Sequence, residues 1–332
     1  MVDPSRTPTV TIGIKALNEE RHIAAAIESA IAAAELADGT VLLADSGSDD
    51  RTVGFAGAYP VRIVQLADRA ARSCGAGAQL AFQDCETEFF CLIDGDMVLQ
   101  PAFVLAAIRY LRQHGDIAGV GGRVIERNLE TEEFRIRAAA MATERHRREG
   151  IVDRLDGGGV YRVAALRSVG YFSDQNLKSF EEYDLAARLA QGGWKLARIS
   201  VDAVEHNGHG GNGYRLLWRR LRSGQLSGAG QVLRGAIGQG HLPIVLRQLK
   251  HLHVAMAIWL WWAILVLTAV EMPAALLPLL VLPVAFLAYR RRSVVLGIFS
   301  FALWNATALG VVAGLFRRRV DPRRRLEASV LK

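Results

Sequence analysis

Three uncharged apolar runs crowd the C-terminal part of this 332-residue chain, and they limit what it can fold into more than any other feature. Residues 254–270 make 17 such positions, 272–289 make 18 with three prolines, and 294–316 make 23. A transmembrane helix needs about 20 predominantly apolar residues. Three runs in tandem, with Trp259, Trp261, Trp262 and Tyr289 among them, are hard to bury as core helices in so short a chain. Charge divides along the same line. Residues 1–204 carry 23 Lys and Arg against 29 Asp and Glu, a net of −6, whereas residues 205–332 carry 17 against 4, a net of +13. A uniformly basic nucleic-acid binder is not divided in this way, so no nucleic acid is expected as a partner. The basic half lies beside the apolar runs, and its natural partner is membrane lipid with an anionic surface. The composition also excludes disorder and a collagen or disulfide scaffold. Cys74, Cys85 and Cys91 are odd in number and lack CxxC spacing, which fits a reducing compartment. Asp3, Lys15, Glu19 and Glu20 interrupt the first 20 residues, which therefore lack a signal-peptide core, so the N-terminal half is expected in the cytoplasm.

Upstream of the apolar runs, β-rich segments alternate with helical periodicity. Strands are predicted over 10–14, 41–44, 61–66, 89–93, 117–125, 160–163 and 194–199. Helices are predicted from Ile23, from Arg51, and over 75–83, 101–113, 131–149 and 181–191. The pattern predicts an α/β, doubly wound, mostly parallel, Rossmann-like sheet. Ligands of such sheets bind outside the carboxyl ends of the strands, where Asp45 and Asp94 stand. From Tyr214, leucines and Trp218 alternate with Arg215, Arg219, Arg220 and Arg222, which reads as a basic amphipathic helix lying in the membrane interface; a second candidate spans 231–250. The expected division is therefore 1–212 for the α/β domain, 213–250 for interfacial helices, 251–316 for two to three transmembrane segments and 317–332 for a basic cytoplasmic tail. Arginine clusters at 290–292, 317–319 and 323–325 all favour the cytoplasmic face. The first two apolar runs then form an in–out–in hairpin, and the third either breaks the rule or re-enters and returns.

Asp94-Gly95-Asp96 puts two carboxylates at a strand end, suited to a hard divalent cation that shares its remaining sites with substrate phosphates. Asp45-Ser46-Gly47-Ser48-Asp49 fits either a hydrogen-bonded hold on a base or ribose or an ordinary Asx-turn and N-cap. Asn18-Glu19-Glu20 fits a ligand loop or the acid preference of a helix start. Glu181, Glu182 and Asp184 open a helix, raise one another's pKa and include a candidate general base. His206 and His209 follow the next strand as candidate metal or phosphate ligands.

Taken in order, these segments resemble a family 2 glycosyltransferase with the GT-A fold over roughly residues 8–215. Residues 14–20, IKALNEE, resemble the family's opening strand and "xxYNEE" loop, and 44–52, ADSGSDDRT, resemble "DDGSxDxT". Residues 72–80 resemble the basic, Gly- and Ala-rich segment before the DxD strand, and 92–96, LIDGD, the DxD motif itself, with Pro101 at the usual distance. Residues 158–162 and 169–172 resemble the acceptor-side "GxxxxxR…GGF" segment, and 181–189, EEYDLAARL, resemble "EDxDLxxRL", followed by Gly193-Trp194.

That resemblance implies a membrane-bound, inverting enzyme that moves a sugar from a nucleotide sugar to a lipid-linked or glycan acceptor, with Mg2+ or Mn2+ as cofactor. Ala16, Asn18, Glu19, Asp45, Arg72, Asp94 and Gly95 would surround the nucleotide sugar. Asp96, with Asp94 and His206, would hold the metal, and Glu182, Glu181 or Asp184 would be the base. Lys15-Ala16-Leu17 departs from the usual Pro-x-Tyr, and Glu182 stands where the family has Asp. The absence of QxxRW argues against a processive polymerase. The nearest resemblance is to succinoglycan-type exopolysaccharide glycosyltransferases, with a polyprenyl-phosphate glycosyltransferase next. A non-catalytic nucleotide-sugar-binding membrane protein is the competing class, and binding without turnover would mark it. A transporter is disfavoured because, apart from His251 and His253, residues 251–289 hold one ionisable group, Glu271. The expected location is the inner cell membrane, multi-pass, with the catalytic domain in the cytoplasm.

Overall fold

The computed structural model describes residues 8–127, 145–207 and 213–332. Most of the helix expected over 131–149, and His209, lie outside them. The chain forms two compact units: residues 1–177, 181–210 and 319–332, and residues 178–180 with 211–318. Residues 319–332, expected as part of a separate basic tail, thus belong to the first unit.

In the first unit, β1 (Val10–Ala16), β2 (Gly39–Asp45), β3 (Arg62–Leu66) and β4 (Phe89–Asp94) form a parallel block in the order β3-β2-β1-β4. Helices α1 (Ile23–Ala37), α2 (Thr52–Ala56) and α3 (Cys74–Phe82) connect them. Strand β1 is buried at nearly every position, as expected for a strand covered on both faces. Ile23, Ala26, Ile27, Ala30, Ala33, Ala34 and Ala37 make the buried stripe of α1 at helical spacing. Ser73 caps α3 by accepting from the Ala76 N–H at 2.8 Å.

The other half of the sheet holds β5 (Met97–Leu99), β6 (Ile117–Glu126), β7 (Gly150–Val152), β8 (Val160–Arg162) and β9 (Lys195–His206). Helices α4 (Pro101–Gln113), α5 (Val163–Ser168) and α6 (Glu181–Gln191) go with them. The sheet continues from β4 through β8, β6 and β9 to β5, with β7 on β9 and β10 (Ala328–Val330) on the far edge beside β3. Among the described residues, β6–β9 is the parallel pair of this half, and β4–β8, β6–β8, β5–β9 and β7–β9 are antiparallel, as is β10–β3 at the far edge. The mostly parallel sheet expected from sequence is therefore a mixed one. Strand direction depends on the tertiary path of the connections, which hydrophobic periodicity does not encode. One apolar cluster, with α1 and α4, covers one face; a second, with α3, α5, α6 and Leu326, covers the other.

The second unit is helical: α7 (Gly213–Ser223), α8 (Gly228–Ala236), α9 (Leu242–Gln248), α10 (Lys250–Glu271), α11 (Leu276–Arg291) and α12 (Val294–Phe316). Tyr214, Trp218 and Leu221 of α7 are exposed beside its arginines, and the Arg222 guanidinium lies 4.9 Å from the Trp218 ring centre. Lys250–Glu271, Pro273–Arg291 and Val294–Phe316 are long and apolar enough to cross a membrane. Their outward side chains include Val270 (76 % exposed), Tyr289 (86 %) and Phe316 (82 %), apolar surface that bilayer contact would satisfy. Trp262 Nε1 donates to Asn305 Oδ1 at 3.0 Å, joining α10 to α12.

Candidate active site

The parallel block aligns the ends of three strands. Lys15 lies opposite Ala44 on one side and Asp94 on the other, and Ala16 lies opposite Asp45. Most of the residues expected around a nucleotide sugar therefore meet at one carboxyl edge.

On the β2 side the loops bind each other. Asp45 is fully buried and accepts from the N–H groups of Gly47 (2.8 Å) and Ser48 (2.9 Å) and from Gln65 Nε2 (2.8 Å). Its carboxylate is thus occupied by an Asx-type turn. Asn18 takes a left-handed backbone (φ 59°), accepts from the Asp49 N–H at 2.8 Å and sends its own N–H to Ser48 Oγ at 2.9 Å. The Glu19 N–H donates to Thr52 Oγ1 at 2.8 Å. Arg72 donates through Nε to the Ser46 carbonyl (2.9 Å) and also to the Gly47 carbonyl. Asn18, Asp45 and Arg72 therefore build the floor of this edge.

Around the DxD segment, Gly95 is fixed by close approach: a Cβ there would lie 2.9 Å from Glu19 Cγ and 3.2 Å from Ala16 Cβ. Asp96 is 8 % exposed, and His206 reaches it from β9 with Nε2 3.3 Å from Oδ2. Nδ1 of the same ring lies 2.8 Å from Glu126 Oε2, a partner that sequence reading missed. Burial alone would lower the His206 pKa, but its hydrogen bonds and ion pairs with Asp96 and Glu126 prevail and raise it to about 10. Burial, then Asp96 and Asp94, push Glu19 up to about 8. Among the described residues, no three His, Cys, Asp or Glu side chains are grouped to hold a metal ion by themselves. Asp96 and His206 are nonetheless side by side, and a hard cation that keeps waters and substrate phosphates needs only one or two protein carboxylates. The donor set fits such an ion once His206 gives up its proton.

On the far side of Asp94, a cavity is lined by Lys15, Asp94, Asp156, Tyr161, Glu181 and Glu182 among others. Lys15 Nζ lies 2.9 Å from Glu181 Oε1 and 3.2 Å from Asp94 Oδ1. Burial works against its charge, yet Asp94 and Glu181 outweigh burial and raise its pKa well above the ordinary lysine value. Lys15 also works to lower the Glu182 pKa, but the surroundings of that carboxyl outweigh it. Burial and the neighbouring Glu181 carboxylate push its pKa far above the usual carboxylate range. Asp184, the third candidate base, faces elsewhere: buried, it pairs with Arg188 at 2.8 Å, and Arg188 donates onward to the Tyr171 (2.6 Å) and Phe172 (3.0 Å) carbonyls. Asp184→Asn leaves that guanidinium buried without its anion, which costs about 3–5 kcal/mol. Thermal melts should show the loss, while turnover per folded molecule stays near wild type.

Residues 11–170 match the family described as Glycosyl transferase family 2. Over that stretch the chain is similar to family 2 glycosyltransferases. The enzyme also shares the GT-A fold of solved glycosyltransferases. A mannosyltransferase from Pyrobaculum calidifontis, in complex with GDP-Man and Mn2+, aligns with a TM-score of 0.64 at 19 % identity, covering 95 % of this chain and 89 % of that one. TarS residues 1–349 from S. aureus, in complex with UDP-GlcNAc, aligns at 0.51 and 15 % identity, over 69 % and 71 %. No curated protein matches the chain at a comparable level of significance.

Proposed function

We propose that this glycosyltransferase is an inverting, metal-dependent enzyme of the inner membrane that transfers a sugar from a nucleotide sugar to a membrane-associated, lipid-linked acceptor in polysaccharide or glycolipid synthesis. The observation that carries the reading is the cavity in which Glu182, Glu181, Lys15 and Asp94 converge beside the DxD segment. In the step inferred, Glu182 takes the proton of the acceptor hydroxyl as its oxygen attacks the anomeric carbon. The bond from that carbon to the diphosphate breaks on the opposite face, which inverts the configuration. Lys15 neutralises Glu181 and leaves Glu182 as the carboxylate able to accept a proton. A Mg2+ or Mn2+ held by Asp96, with Asp94 and His206 alongside, would offset the charge that develops on the leaving diphosphate. The loops around Asn18, Glu19, Asp45 and Arg72 shape the nucleoside end, and Gly95 lets Glu19 close over the DxD turn.

The proposed location, multi-pass with the catalytic unit in the cytoplasm, rests on the three long apolar helices and the arginine clusters that flank them. In purified membranes, release of nucleoside diphosphate from a panel of UDP- and GDP-sugars should require added lipid extract. It should stop with excess chelator and return with Mn2+ or Mg2+. Release that is indifferent to chelation sinks the metal role, and nucleotide-sugar binding without release across all extracts sinks the enzymatic reading.

A further inference from the structure

Three helices able to cross a bilayer would, if all crossed, leave the two ends of this region on opposite faces. The first unit does not permit that. Its residues 319–332 return after the last apolar helix and are built into the same fold as residues 1–177. Strand β10 pairs with β3 in a defined antiparallel register, Ala328 with Leu66, Ser329 with Gln65 and Val330 with Val64. Leu326 is 5 % exposed within the apolar cluster that holds Val64, Leu66 and Leu80. Its backbone is bracketed by one side chain: Gln83 Nε2 donates to the Leu326 carbonyl (3.2 Å) and Gln83 Oε1 accepts from its N–H (3.1 Å). Asn176 does the same for Val320, at 2.9 and 2.8 Å. Gln175 Nε2 reaches the carbonyls of Asp321 (3.0 Å) and Arg324 (2.7 Å), Arg319 pairs with the buried Asp174 at 2.9 Å, and Lys332 Nζ donates to the Gly57 (2.8 Å) and Tyr59 (2.7 Å) carbonyls. A segment that covers a sheet edge, buries Leu326 and has so many of its backbone groups satisfied by the first unit's side chains is an integral part of that unit.

The second unit points the same way by itself. The C-terminal half of α12 packs against residues 225–236, which precede the first apolar helix. A Cβ at Gly230 would come 2.0 Å from the Val311 carbonyl oxygen, and one at Gly310 or Gly314 would come 2.3 Å from the Leu226 or 2.1 Å from the Ser227 carbonyl oxygen. The end of the last apolar helix therefore sits beside the segment through which the chain enters the apolar region.

We infer that the chain crosses the bilayer an even number of times, with no more than two of the three apolar helices spanning it, and that residues 319–332 lie on the same membrane face as the catalytic unit. The six arginines at 317–319 and 323–325 then stay on the face where the domain folds, and none is carried through lipid.

Sidedness tests this without knowing the donor. In full-length protein carrying Cys74→Ala, single cysteines are placed at the exposed positions Glu35→Cys in α1 and Glu327→Cys in the returning segment. A membrane-impermeant maleimide should label both in inverted vesicles and neither in intact cells. Labelling of the two from opposite faces overturns the inference. The wild-type chain provides a second reading should a variant misfold: trypsin should release peptides from 317–332 only in the vesicle orientation in which the catalytic unit is also cut. Release from the other orientation refutes it.

Discussion

Glu182→Gln should lower kcat by about 10²–10⁴, the range typical of a lost general base, with the KM for the nucleotide sugar near the wild-type value. The amide keeps the shape of the side chain and removes only the site that accepts the acceptor's proton. Glu181→Gln should cost much less, because Glu181 is engaged by Lys15 at 2.9 Å and its charge is already answered. Burial and Glu181 hold the Glu182 pKa far above the usual carboxylate range, and the working form is the anion. Activity should therefore rise with pH through and beyond neutrality, with its acidic limb well above pH 5. That limb should vanish in the Gln variant. A Glu182→Gln enzyme with unchanged kcat would remove this residue from the mechanism.

Lys15→Met is expected to have the second large effect, on stability and rate together. The change leaves Glu181 and Asp94 facing each other without a cation. Breaking a buried ion pair costs about 3–5 kcal/mol, and the lower end applies here because the Asp94 side chain is 37 % exposed. Repulsion in the cluster then moves the Glu182 pKa higher still, so less of the anion exists at neutral pH. The pH–rate curve should shift to higher pH and recover part of its height there. Lys15→Arg, which keeps the charge, should restore most of the rate. Equal rates for Lys15→Met and wild type at pH 7, in folded protein, would contradict the role given to Lys15.

Several features are legible in the amino-acid sequence alone. Pro101–Gln113 and Glu181–Gln191 stand where their periodicity places them, with a proline opening the first and acids opening the second. Asp94 and Asp96 flank a strand end as read, and the three apolar helices follow their runs. Other features lie beyond sequence reasoning. Glu126 and His206 are 80 residues apart, and no local pattern joins them. Strand β10 has three residues and no alternation worth reading. Among Glu181, Glu182 and Asp184, each step turns the helix by about 100°. Which of them meets the cavity depends on how α6 packs, and packing gave Asp184 to Arg188 and Glu181 to Lys15.

By itself, the sequence determined the identities and the order: an acidic α/β half, a basic apolar half, and motifs in family sequence along the first. Periodicity, turn chemistry and apolar length are local properties, and they survive reading one residue after another. Tertiary structure decided what depends on partners distant in the chain. It turned a parallel sheet into a mixed one, occupied the Asp45 carboxylate with its own loop, and set a lysine among the carboxylates. It also brought residues 319–332 back to the first unit, where β10 pairs with the β3 edge and Leu326 is buried in the apolar cluster, contacts between positions about 260 residues apart that no local pattern encodes.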